Sequence, residues 1–234
     1  MPPILLLVLL SAAPTTTTAV TSTVGEAVIR PAPKPVPSLA QVLAALGEEE
    51  LRKEARPDCA FRERTRVDEL RKDGTVKGSL DRSWAVTRSR SGTETRALLT
   101  SERTGDINNL FAKDFKFSEE ERRGPFHPET RSNYRFKLVR ASADVVEIEF
   151  EPIQASEKRL RGRAFVDPSR LVLTGLSVAP SKLPAFTLEV QLDLRFEETA
   201  CGVQPVNLRM RGAGGFLFFR VGFRSETWHQ GHTR

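Results

Sequence analysis

The chain has 234 residues, enough for one substantial domain or two small ones. Lys and Arg outnumber Asp and Glu by 36 to 30, a formal net charge of +6. The basic residues are mostly arginine, interspersed with acids, and no block of about five or more like charges occurs. This excludes the usual signature of a nucleic-acid partner, whereas a mildly basic surface suits an anionic envelope surface.

The first residues resemble a secretory signal peptide. The apolar run Ile4–Leu10 is followed by small residues and is too short to span a membrane. We therefore expect residues 1–27 to be a signal peptide and its cleavage region, with cleavage after Ala13, Ala19 or Ala27. No later apolar run reaches the roughly 18 residues of a spanning helix. The sequence predicts export to the periplasm or outer cell envelope, with no transmembrane segment after cleavage.

A helix should begin at Ser38, after a proline-rich linker at 28–37. Ser38 and Gln41 have the spacing of a capping box. Apolar residues recur at helical spacing and form one face: Leu39, Val42, Leu43 and Leu46. Gly47 is a point at which the helix could be interrupted, and Pro57 should end it.

From Ala60 onward the pattern is that of β-strands. About ten strands are separated by turn signals, among them Lys72–Gly74 and Asp167–Ser169. By simple alternation, Leu171 and Leu173 should face away from Val172, Leu176 and Val178. We expect one domain over 38–228, mainly β with a helical lid (α+β), an antiparallel meander forming an incompletely closed β-barrel. Residues 229–234 should form a fraying tail.

The longest regular alternation is FTLEVQLDLRF at 186–196. Its polar residues alternate with apolar ones that should share a dry face: Phe186, Leu188, Val190, Leu192, Leu194 and Phe196. We take this face as the candidate ligand-binding wall. What lies against it is either the rest of the protein core or a ligand.

Two further segments are candidates for covering that wall. One is the helix with Leu39, Val42, Leu43 and Leu46, and the other is an irregular segment that carries Phe111 and Phe115. In a barrel of about ten strands the interior is too wide for its own side chains to fill easily. These segments would therefore either complete the core or close over an acyl chain.

The two cysteines, Cys59 and Cys201, would link the first strand to a late loop if they are paired. A disulfide bond suits an exported protein, and two buried free thiols are the alternative.

Motifs of catalysis are missing from the sequence. Gly175–Ala179 departs from the GxSxG elbow, and no glycine-rich phosphate loop joins a strand to a helix. His229 and His232 lie on the expected tail, where we interpret them as incidental. The sequence thus predicts a protein that is not an enzyme and holds no metal or cofactor.

Several stretches resemble a known family: YRFKLV (134–139), VEIEFEP (146–152) and above all GRAFVDPSRLVL (162–173). The last contains the pattern G-x-x-x-[IV]-D, as Gly162 through Val166 and Asp167. In this pattern and in the order of its elements, the chain resembles the LolA/LolB-like periplasmic lipoprotein carrier superfamily. The resemblance implies an unclosed antiparallel barrel, a helical lid and an apolar cavity that takes up lipoprotein acyl chains.

The function hypothesis is therefore an exported envelope protein that binds lipid acyl chains or a lipidated partner in an apolar groove. The alternative is an envelope β module without a ligand, structural or binding another envelope protein, whose apolar faces are only core.

Overall fold

The computed structural model describes residues 36–54, 58–90, 93–107, 123–216 and 219–234. The predicted signal peptide and most of the predicted linker lie outside these residues, as do Phe111 and Phe115.

The predicted helix forms as α1, Leu39–Glu54. Its capping box is present, since Ser38 N donates to Gln41 Oε1 over 2.8 Å and Gln41 N donates to Ser38 Oγ over 3.3 Å. Gly47 does not interrupt the helix. It is buried where α1 passes the loop that carries Phe126, and an added Cβ would lie 3.5 Å from the Phe126 carbonyl oxygen.

Ten strands follow α1 in the part of the chain that the structure describes. They are β1 (Cys59–Leu70), β2 (Val76–Arg88), β3 (Glu94–Gly105), β4 (Tyr134–Ala141), β5 (Val146–Pro152), β6 (Leu160–Asp167), β7 (Val172–Pro180), β8 (Thr187–Thr199), β9 (Gly202–Phe216) and β10 (Phe219–Thr233). One turn of 3₁₀ helix, Arg131–Asn133, precedes β4.

All ten strands belong to one antiparallel sheet, in the order β3-β2-β1-β10-β9-β8-β7-β6-β5-β4. Its edges are β3 and β4, which are not paired with each other within the described residues. The expected architecture of a ten-stranded, incompletely closed antiparallel meander with one helix is confirmed. The single departure from sequential order is that β10 returns to pair with β1.

The main core lies between α1 and the half of the sheet that runs from β4 to β9. Its buried residues come from the helix, the loop before β4 and the five strands β5–β9: Val42, Leu46, Phe126, Val146, Ile148, Phe150, Ala164, Val166, Leu173, Val178, Phe196 and Val203. A second, smaller cluster lies around the paired Cys59 and Cys201, with Phe61, Val86 and Trp84. We call the face of the sheet against which α1 packs the inner face, and the opposite face the outer face.

Two expectations about local structure are wrong. The tail expected at 229–234 belongs to β10 as far as Thr233, where its backbone pairs with Ala60 of β1. Polar composition suggested fraying, but pairing with a central strand holds the segment.

The expectation that Leu173 lies on the opposite face of the sheet from Leu176 and Val178 is also wrong. A β-bulge shifts the register of β6 and β7, so that Val166 pairs with Leu173 while Ala164 pairs with Leu176. One extra residue reverses the alternation, and all three side chains contribute to the main core or pack against it.

Candidate functional site

The apolar row of β8 passes from core to solvent along its length. Phe196 is buried at 9% exposure, and Leu192 and Leu194 are half-buried and pack against the main core. At the other end Leu188 is 55% exposed and Phe186 is 65% exposed. The predicted wall therefore has a packed part and an open part.

Local backbone geometry explains the open part. Phe186 does not belong to the strand. It ends the β7–β8 turn with a φ of 64°, a backbone conformation that residues other than glycine rarely adopt. Leu188 is the extra residue of a β-bulge, because Thr187 pairs with Gly214 and Glu189 with the adjacent Ala213. The alternation that placed both on one continuous dry face stops at Val190.

The inner face continues beyond β8 toward the end of the sheet that carries β3. Paired residues of neighbouring strands point to the same face, so the pairs can be followed across it. The row runs through Val178, Leu192, Met210, Ser225, Val67 and Leu80. Next to this row the ring of Phe223 lies so close to Gly212 that an added Cβ would be 2.5 Å away. An aromatic ring thus extends the apolar surface past Val190, which pairs with Gly212.

The four helical residues predicted as a lid pack into the main core. Val42 and Leu46 are fully buried, and Leu39 and Leu43 are half-buried against the same cluster. The helix is fixed further by Arg131, whose guanidinium donates to the Leu43 carbonyl oxygen over 3.1 Å. In this structure α1 therefore packs on the inner face as part of the main core.

The predicted disulfide bond between Cys59 and Cys201 is present, with the Cα atoms 5.9 Å apart. It joins β1 to the β8–β9 turn, as expected for a link between the first strand and a late loop.

A buried polar cluster on the inner face was not predicted from the sequence. Glu63 is buried and forms ion pairs with Arg96 and His229. His229 Nε2 lies 3.3 Å from the carboxylate, and Nδ1 lies 2.8 Å from the Pro205 carbonyl oxygen. Each ring nitrogen therefore faces an acceptor to which it can donate when it carries a proton. Burial raises the pKa of Glu63, but the bonds from His229 and Arg96 outweigh it and hold that pKa below its usual value.

The histidines interpreted as incidental are thus part of the packed sheet. The rings of His229 and His232 lie 5.1 Å and 5.2 Å from the ring of Phe61. Burial lowers the pKa of His232, and the charges of His229 and Arg88 lower it further. No sequence signal brings β1 and β10 together, because 166 residues separate Glu63 from His229. Among the described residues, no group of three or more His, Cys, Asp or Glu side chains is arranged to hold a metal ion.

The outer face is charged and is held by cross-strand ion pairs. These include Arg64–Asp81, Arg163–Glu147, Arg209–Glu226 and Arg211–Glu189. A groove of about 650 Å³ lies on this face beside Trp228, and Trp228 also lines a smaller groove of about 290 Å³. Both are lined mainly by polar and charged side chains, unlike the apolar groove that the sequence predicts.

The strand and turn that carry the family pattern have a clear physical basis. Gly162 has a φ of 156°, and an added Cβ would lie 2.1 Å from the Ser177 carbonyl oxygen of β7. Asp167 closes the turn by accepting from the Ser169 hydroxyl and the backbone N–H of Ser169 and Arg170. The bond from the Ser169 hydroxyl is the main reason that the pKa of Asp167 lies well below its ordinary value.

Over the described residues, these features define a mostly β protein with one α-helix on an open ten-stranded sheet, whose inner face is apolar where α1 packs on it and whose outer face is charged. Among the described residues, no helix is long and apolar enough to cross a membrane.

No protein-family model matches the chain, and no curated protein matches it significantly. Solved structures similar to it include a DUF1329 family protein from Desulfovibrio piger, 13% identical with a TM-score of 0.38, covering 82% of this chain and 92% of that one. Another is a LolA superfamily protein from Nitrosomonas europaea, 12% identical with a TM-score of 0.34, covering 80% of this chain and 92% of that one.

Proposed function

We propose that the protein is an exported, non-enzymatic envelope protein that binds lipid acyl chains or a lipidated partner on the inner face of its sheet. The observation that carries this proposal is the change in exposure along β8. The apolar row that is core at Phe196 reaches Val190 on the inner face, and the exposed Leu188 and Phe186 follow it beyond the β-bulge at the uncovered end of β8.

The chemistry of this surface suits an acyl chain. Leu183, in the turn before β8, is also exposed, so three large apolar side chains lie close together in sequence at the uncovered end. Acyl chains need an apolar surface with few polar contacts. The packed part of the row would hold the fold, while the open part would contact the ligand.

Two further observations support export. The first residues have the composition of a signal peptide, and a disulfide bond is typical of proteins that fold in an oxidising compartment.

Titration with a fluorescent fatty acid tests the proposal, alongside native mass spectrometry of protein purified from an envelope fraction. We expect uptake by the natural protein and loss of affinity in Leu188→Glu. Burying one leucine side chain contributes about 1.5–3 kcal/mol, so its loss corresponds to roughly a 10–150-fold weaker affinity.

Val139→Glu is the matched control, because Val139 is a similarly exposed apolar residue on β4, away from the row. Both variants should keep the natural far-UV circular dichroism spectrum, since neither side chain is buried. A clean apo mass with no fatty-acid uptake by the natural protein would refute lipid binding.

A second candidate function is an envelope module without a ligand. The packing of α1 favours it, because Leu39, Val42, Leu43 and Leu46 belong to the main core or pack against it. This candidate predicts that neither the natural protein nor Leu188→Glu takes up the fatty acid, that the two are equally stable, and that a protein partner copurifies through another surface.

A further inference from the structure

The edge strand β3 is exposed along its whole length. All twelve residues of Glu94–Gly105 are exposed, including Leu98 at 57% and Leu99 at 49%. The other edge strand, β4, differs because alternate side chains pack against the main core. An edge strand presents unpaired backbone N–H and C=O groups along its free side, and two adjacent exposed leucines on it favour pairing with another strand.

A β-bulge divides β3 into two halves with different alternation. Ser83 of β2 pairs with Thr100, and the next residue, Trp84, pairs with Leu98, so Leu99 is the extra residue. Before the bulge, Glu94 and Arg96 point to the inner face and Thr95 and Ala97 to the outer face. After it, the inner-face residues are Ser101 and Arg103, and the outer-face residues are Thr100 and Glu102.

Two copies of β3 can pair antiparallel about a two-fold axis only if opposite residues lie on the same face. Centring the axis between Leu98 and Leu99 satisfies this condition. The resulting pairs are Glu94 with Arg103, Thr95 with Glu102, Arg96 with Ser101, Ala97 with Thr100, and Leu98 with Leu99. Shifting the register by one residue places inner-face residues opposite outer-face residues.

Charge selects this register from the others that match the faces. It brings Glu94 of each copy opposite Arg103 of the other, which gives two symmetric pairs of opposite charge. Shifting the register by two residues in one direction brings Arg96 of one copy opposite Arg103 of the other, and these like charges repel each other. Shifting it by two residues in the other direction leaves neither Glu94 nor Arg103 opposite a charged residue. The selected register also collects the four leucines of the two strands at the axis.

We propose that the protein forms a homodimer in which β3 of one copy pairs antiparallel with β3 of the second copy in this register. The two sheets become one continuous sheet, and the exposed backbone edge of each is satisfied by the other. This interaction is independent of the proposed lipid binding, since β3 and the open part of the β8 row are different surfaces.

Cysteine cross-linking tests both the dimer and its register. The double variant Ala97→Cys/Thr100→Cys places introduced cysteines directly opposite each other at two symmetric positions. In either single variant, the introduced cysteines of the two protein copies lie three residues apart along the paired strands. This is too far for a disulfide bond, which needs Cα atoms within about 7 Å. We expect most of the double variant, and little of either single variant, to migrate as a covalent dimer on a non-reducing gel.

Charge exchange provides the second test. Glu94→Arg should weaken dimerisation roughly tenfold, because two opposite-charge pairs become like-charge pairs. The double variant Glu94→Arg/Arg103→Glu should restore it. Light scattering coupled to size exclusion measures the mass of each variant at micromolar concentration, and the natural protein should have twice the mass of one chain. A natural protein that is monomeric, or a dimer in which the double cysteine variant cross-links no better than the single ones, would overturn the proposal.

Discussion

Substituting Gly162 of β6 with alanine should strongly destabilise the protein. An added Cβ would lie 2.1 Å from the Ser177 carbonyl oxygen and 2.8 Å from the Val178 Cα, both of which belong to the backbone of β7. Neither atom can rotate away, so β6 must move from β7 at a point where Gly162 pairs with Val178. The φ of 156° is also one that alanine rarely adopts.

The magnitude follows from two separate costs. A residue held in a sparsely populated backbone region costs about 1–3 kcal/mol. Adding atoms to a well-packed site costs about 1–3 kcal/mol more. We therefore expect Gly162→Ala to lower the free energy of unfolding by roughly 2–6 kcal/mol.

Gly74→Ala separates the two costs. Gly74 has a φ of 83°, and nothing lies within 4 Å of an added Cβ, so only the backbone cost applies. Equilibrium unfolding in urea, followed by tryptophan fluorescence, gives both values. If Gly162→Ala lowers the free energy of unfolding no more than Gly74→Ala does, the reasoning is refuted. The close approach of β6 and β7 would then not explain why glycine occupies position 162.

Three further predictions concern the core, the disulfide bond and the buried carboxylate. Phe196→Ala should cost about 3–5 kcal/mol in urea unfolding, whereas Phe186→Ala should stay within about 0.5 kcal/mol; equal costs would contradict the division of the β8 row. Replacing both Cys59 and Cys201 with alanine should cost up to about 5 kcal/mol, because the bond closes a loop with a sequence separation of 142, and a reducing agent should then change only the natural protein. Because the folded-state pKa of Glu63 is lowered, its contribution to stability is present above the unfolded value of 4.5 and is lost as the pH falls through the folded value. Glu63→Gln should therefore flatten the acid side of a plot of stability against pH, and an unchanged slope would show that other groups dominate it.

Much of the fold could be predicted because local signals are strong where strands and turns are regular. The capping box at Ser38 starts α1 where expected, and the Asp-Gly turn at 73–74 joins β1 to β2. The alternation over Val146–Pro152 matches a strand with buried Val146, Ile148 and Phe150. In these segments one local pattern agrees with one tertiary environment.

The errors occur where a single residue changes the register. Bulges at Leu188 and in β7 reverse an alternation that otherwise continues, and a bulge has no reliable sequence signal. The cluster of Glu63, Arg96 and His229 depends on the pairing of β1 with β10, which only the tertiary fold determines. Composition could therefore indicate an apolar row on β8, but it could not show that the row is half core and half surface.

The position of β10 has a consequence for how the protein is made. Because β10 lies between β1 and β9, the strands β1–β3 and β4–β9 are separate sheets until residues 219–233 have been synthesised. The edges of β1 and β9 remain open during this interval, and such edges are prone to pairing with other chains. The sheet can therefore close this gap only after β10 has been made, and a chaperone that shields the unpaired edges would have its greatest effect at β1 and β9.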